Sequence, residues 1–199
     1  MAITTYAELQ TAAANWLARA DLTSRIPEFI SLAEAKFNRT IRTRDMVYKD
    51  ASFSINGEYV ACPTGFLEPV ALKLNTSPRQ EVVYMPEDMQ MVQYPYSSGT
   101  PKFYSVIGSN LHFAPAPDAT YTATFTYYKA ITALSSGVTW LLTSHPDIYL
   151  YGTLLEAAPF LYDDPRVQVW AAALKECQGQ LHWQNARSNT ANGMAIRAA

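Results

Sequence analysis

Apolar residues recur at helical spacing at both ends of the chain and alternate with polar ones in the middle. Near the start, Tyr6, Leu9, Ala13, Trp16 and Leu17 line one face and predict an amphipathic helix to about Ala20. Thr5 and Glu8 open it as a capping box, in which the hydroxyl accepts from a free backbone N–H and the carboxylate reaches back. A second helix is predicted from about Ser24, with Pro27 in its first turn, where the missing N–H costs nothing. Its apolar stripe is Ile26, Phe29, Ile30, Ala33, Phe37 and Ile41, and its other face carries Glu34, Lys36, Arg39 and Arg42. The short link between the two favours an antiparallel hairpin.

From about Asp50 the period shortens to two. Phe53 and Ile55 alternate with serines, and Asn56-Gly57 is a strong hairpin signal, with Tyr59–Ala61 as the expected partner strand. Further strands are predicted at 69–74, 81–85, 102–107 and 110–114, with a turn at Gly108-Ser109. The clearest strand runs from Thr120 to Tyr128, where Tyr121, Ala123, Phe125 and Tyr127 share one side and threonines the other. Residues 86–92 read as a short helix and 95–101 as a loop.

Helical spacing returns at Ser144, read as the cap of a helix with Pro146 and Asp147 in its first turn. That helix is apolar nearly all round (Ile148, Leu150, Tyr151, Leu154, Leu155), which implies burial on several sides. After Asp163-Asp164-Pro165 a last stripe follows, Val167, Trp170, Leu174, Cys177 and Leu181, and it stops near Gln184. The expected architecture is α+β. A helical bundle forms from the N-terminal helices (1–47) and the C-terminal helices (131–185), with an inserted antiparallel β-rich domain (48–130) and a flexible, extended C-terminal tail (186–199).

Composition narrows the function. Hydrophobic residues make up 49% of the 199, enough for a core, while charged residues are only 16%, against roughly 25% in soluble domains. Surfaces covered by other subunits would explain the shortfall, as would a large core. A net charge of -2 provides no basic field to hold nucleic acid. Cys62 and Cys177 lack metal or redox spacing. Neither a signal peptide nor a membrane span is expected.

Catalytic constellations are missing from the pattern. His112, His145 and His182 are scattered, with no nucleophile elbow, no metal-ligand spacing and no phosphate loop around them. No enzyme activity, cofactor or metal is expected. What stands out is aromatic surface, 13% of the chain. Tyr94, Tyr96, Tyr127, Tyr128, Tyr149 and Tyr151 come in close pairs that cannot all face one core. Tyrosine suits interfaces, because it buries area while its hydroxyl still finds a partner. Candidate subunit or tail contacts are therefore Glu34, Lys36, Arg39, Tyr94, Tyr96 and Tyr149.

Several runs carry a family resemblance. Tyr6-Ala7-Glu8-Leu9, Trp16-Leu17-Ala18-Arg19 and the run from Ile26 to Ala35 resemble the opening of tailed-phage adaptor proteins. Trp140-Leu141-Leu142, the run from Pro146 to Tyr151, Glu156-Ala157-Ala158, Asp163-Asp164-Pro165-Arg166 and Trp170 continue it in the same order. The chain resembles head-to-tail connectors of the tail tubular protein A type. That resemblance implies a twelve-subunit ring in the virion neck, made in the host cytoplasm. The ring would dock on the portal protein, hold tail or nozzle proteins below, and let DNA pass through its lumen. It also implies that the C-terminal segment reaches the portal, which here falls on Gly193, Met194, Ile196 and Arg197. The alternative reading is a tail or baseplate binding module, recognising a tail protein or carbohydrate through the β-domain.

Overall fold

The computed structural model describes residues 3–94, 97–161 and 164–190, with side chains through 187. The fold is α+β, six helices together with a curled mixed sheet of seven strands. Contacts divide the chain into two compact units, one from residues up to Asp45 and from Ile131 onward, the other Met46–Ala130.

In the helical unit, α1 (Tyr6–Leu17) starts on the expected box: Glu8 N donates to Thr5 Oγ1 at 3.3 Å and Thr5 N to Glu8 Oε2 at 3.0 Å. The helix ends earlier than Ala20 because Ala18 turns left-handed (φ 53°), and a 3-10 turn, Ala20–Arg25, leads into α2 (Ile26–Thr40). The expected start at Ser144 is replaced by two helices. A short α4 (Trp140–Ser144) is capped by Thr139, whose hydroxyl accepts from Leu142 N, and α5 (Pro146–Glu156) follows without a side-chain cap. Helix α5 packs against α1, α2, α4 and α6 (Arg166–Thr190), so burial on several sides is what its sequence demanded.

Arg166 ties the start of α6 to the end of α1. Its guanidinium pairs with Asp164 at 2.6 Å and donates to the carbonyls of Trp16 (3.0 Å) and Leu17 (3.5 Å). Those carbonyls belong to the last turn of α1, which has no basic residue of its own, so the cation satisfies groups the helix leaves open. Residues 186–190, expected in the tail, instead continue α6, which is helical to Thr190. Asn185 contributes by accepting from Arg44 N at 3.0 Å.

The β unit has the strand order β1-β9-β3-β4-β6-β7-β2. The strands are β1 (Val47–Ile55), β2 (Tyr59–Ala61), β3 (Phe66–Leu74), β4 (Gln80–Tyr84), β6 (Phe103–Ile107), β7 (Asn110–Ala114) and β9 (Tyr121–Lys129). A pair outside the sheet joins β5 (Ser98–Gly99) to β8 (Ala116–Pro117). Two expectations are corrected. The insertion is mixed rather than antiparallel, because β4 and β6 run parallel, with α3 (Glu87–Gln93) in the crossover that such a pair needs. Asn56-Gly57 reverses the chain without making a hairpin: β1 pairs with β9 and β2 with β7. These strands are the two ends of the order, yet Ile55 and Tyr59 are at most about 14 Å apart along the chain. The link therefore holds the edges of the sheet near one another and fixes its curl. Its interior is filled by alternate residues, among them Phe53, Leu72, Phe113, Ala123 and Phe125.

Candidate functional site

A cavity of about 440 Å³ lies within the β unit, a size ordinary for a ligand site. Three non-adjacent stretches of sequence build it. Register places Tyr59 of β2 opposite His112 of β7, and Phe113 N donates to Glu58 O at 2.8 Å. The Glu58 carboxylate thereby meets His112 Nε2 at 3.1 Å, while the Tyr59 ring stacks on the imidazole at 4.6 Å. Helix α3 supplies Gln90 and Met91, and Tyr94 follows at its end, with its ring against Phe103 at 5.4 Å. Ser97, Ser98, Ala114 and Ala116 complete the lining.

The polar groups here have an unusual balance. The His112 side chain is 5% exposed, whereas that of Glu58 is 52% exposed. A carboxylate only accepts, so the shared proton sits on Nε2, and Nδ1 is the ring nitrogen turned away from Glu58. That Nδ1 is buried without a partner, and so is Gln90 Oε1, whose amide nitrogen donates to Met85 O at 2.8 Å. The described residues include no group of three or more His, Cys, Asp or Glu that could hold a metal ion.

The sequence-selected residues fall in different places. Tyr94 lines the cavity, and Tyr96 lies outside the described residues, as do Gly193, Met194, Ile196 and Arg197. Lys36 is half exposed and pairs with Glu156 at 3.2 Å, and Arg39 is exposed on α2. Glu34 and Tyr149, expected at an interface, are instead buried together. Glu34 Oε1 accepts from Leu134 N at 2.7 Å and from the Tyr149 hydroxyl at 3.3 Å, and Thr139 donates to that hydroxyl at 3.2 Å. Burial pushes the carboxyl of Glu34 and the phenol of Tyr149 above their ordinary ranges. Their position was legible. Glu34 follows Ile30 by four residues and precedes Phe37 by three, within the apolar stripe, and Tyr149 sits on the helix that is apolar all round. Glu58, Gln90 and His112 carried no such signal, because the β2–β7 register and the placing of α3 bring them together.

The family model of the SU10 adaptor protein matches residues 4–197. The chain belongs to this family. SU10 adaptor proteins are a phage adaptor family, so the chain is a structural phage adaptor protein at that level of description. No curated protein matches the chain. Among the described residues no helix is long and apolar enough to cross a membrane.

Proposed function

We propose that this SU10-family adaptor is the head-to-tail connector of a tailed phage, assembling into a ring in the neck of the particle. The observation that carries the reading is the extent of the family match, residues 4–197, which takes in both the helical unit and the β unit. A closed ring needs heterologous contacts, one patch on each subunit meeting a different patch on the next. The exposed apolar side chains of the helical unit, among them Trp16, Leu32, Val169 and Trp183, supply candidate area beside Lys36 and Arg39. In the arrangement of the tail tubular protein A type there are twelve subunits, with the portal protein above and tail or nozzle proteins below. Gly193, Met194, Ile196 and Arg197 are the portal contacts in this proposal.

Electron microscopy of the intact particle, with this chain traced into the neck density, tests the reading. A ring directly beneath the portal supports it. Density for this chain only at the distal tail would sink it and favour the second reading, a tail-side binding module. That second reading draws on one observation, the cavity with Tyr94 in its wall.

A further inference from the structure

The cavity of the β unit selects its occupant by charge and by hydrogen-bonding sense. Among the described residues of its lining, Glu58 is the single formally charged one. One carboxylate oxygen accepts from His112 Nε2, and Oε2 has no partner among the described residues. A further acceptor, Gln90 Oε1, is buried and unpaired in the same lining. Its lone pairs add to the negative charge of Glu58, and the low-dielectric surroundings strengthen that field. Ser97 and Ser98 add two hydroxyls, which can donate or accept, and the rest of the wall is apolar: Met91, Phe113, Ala114, Ala116 and the ring of Tyr94.

A matching occupant therefore carries a positive charge, several donors and an apolar stem. An arginine side chain has all three, with five N–H donors in a planar fork that pairs with carboxylates and stacks on aromatic rings. A sugar fits less well, since it carries no positive charge to set against Glu58. We propose that the cavity receives an arginine side chain of a neighbouring virion protein, its guanidinium on Glu58 and its stem along Met91 and Phe113. The identity of the donor as a virion protein rests on the adaptor reading; the chemistry of the cavity does not.

Titration of the full-length chain with N-acetyl-arginine methylamide, followed by amide NMR shifts, tests this directly. Saturable shifts at His112, Tyr94 and Ser98 are expected in the millimolar range, as befits one isolated side chain. The neutral isostere N-acetyl-citrulline methylamide should bind about tenfold more weakly, and Glu58→Gln should bring arginine down to the citrulline level. Glu58 is half exposed, and an otherwise unchanged spectrum would show that the variant is folded. Equal binding of citrulline, undiminished binding by Glu58→Gln, no saturation with arginine, or binding of methyl glucoside in its place would each overturn the proposal. Such a failure would leave the neck ring standing, whereas absence of the chain from the neck would leave arginine binding intact.

Discussion

Tyr149 donates to Glu34 across the centre of the helical unit at 3.3 Å, joining two residues 115 positions apart. The same oxygen of Glu34 accepts from Leu134 N, so one carboxylate holds α5 and the segment returning from the β unit against α2. Glu34→Ala would leave the Leu134 N–H buried without a partner, which costs about 1–3 kcal/mol. Urea unfolding measures it.

The charge on Glu34 should be a burden rather than a help. Burial raises its carboxyl pKa in the folded chain above the unfolded value near 4.5, against the opposing pull of the Leu134 N–H and the Tyr149 hydroxyl. A group whose pKa rises on folding contributes stability that is complete below the unfolded pKa and disappears as pH climbs through the folded one. Wild type should therefore lose stability relative to Glu34→Gln as pH increases from about 4 toward neutrality. Glutamine keeps the accepting oxygen and carries no charge. Denaturation midpoints of the two chains at several pH values are the check, and a difference that stays flat with pH would refute the account.

Gly152 on α5 faces Phe37 on α2, and no other side chain fits there. An added Cβ would fall onto the Phe37 ring at Cζ and lie 2.9 Å from Cε1. The ring cannot retreat, because it is fully buried and packs edge-on against Tyr149 at 5.5 Å. Alanine gains about 1 kcal/mol of helix propensity over glycine, while overpacking costs roughly 1–3 kcal/mol. Gly152→Ala should thus be net destabilising, and Phe37→Leu in the same chain should recover part of the loss. Additive losses in that double-mutant cycle would show that the two residues do not press on each other.

The thiol of Cys177 should be slow to react. Burial pushes its pKa up to about 12, with Asp147 beside it adding to the effect. Since the thiolate is the nucleophile, labelling by iodoacetamide at pH 8 should be roughly tenfold or more slower in the folded chain than in urea. The variant Cys62→Ser isolates the measurement. Equal rates in the two states would contradict the assigned environment.

What the sequence made legible follows from range. The Thr5–Glu8 box and the Gly108-Ser109 turn are decided within four residues, and both formed as expected, with Gly108 at φ 59°. The α+β class followed from the switch of period between chain ends and middle. Asn56-Gly57 misled because it specifies a reversal and not a partner; Phe125 and His112, far along the chain, lie in the strands that claim β1 and β2. The cavity was hidden for the same reason. Tyr94 was visible as an aromatic near a loop, but Glu58 and His112 become a pair only through the β2–β7 register.

Asn38 acts at the point where the chain re-enters the helical unit. Its carboxamide pairs with both backbone groups of Ile131, accepting from the N–H at 2.7 Å and donating to the carbonyl at 3.3 Å. A side chain thus does for Ile131 what a neighbouring strand would do, and it does so where Ile131 is buried and water cannot substitute. Asn38→Ala removes both bonds and should cost about 2 kcal/mol. Asn38→Asp keeps the acceptor and loses the donor, so it should fall between wild type and alanine at neutral pH. Chemical denaturation ranks the three chains, and hydrogen exchange at the Ile131 amide separates local from global effects. Faster exchange at Ile131 in Asn38→Ala than in Asn38→Asp would show that the 2.7 Å bond carries the larger share, and equal exchange in both would mean that the segment is held by packing alone.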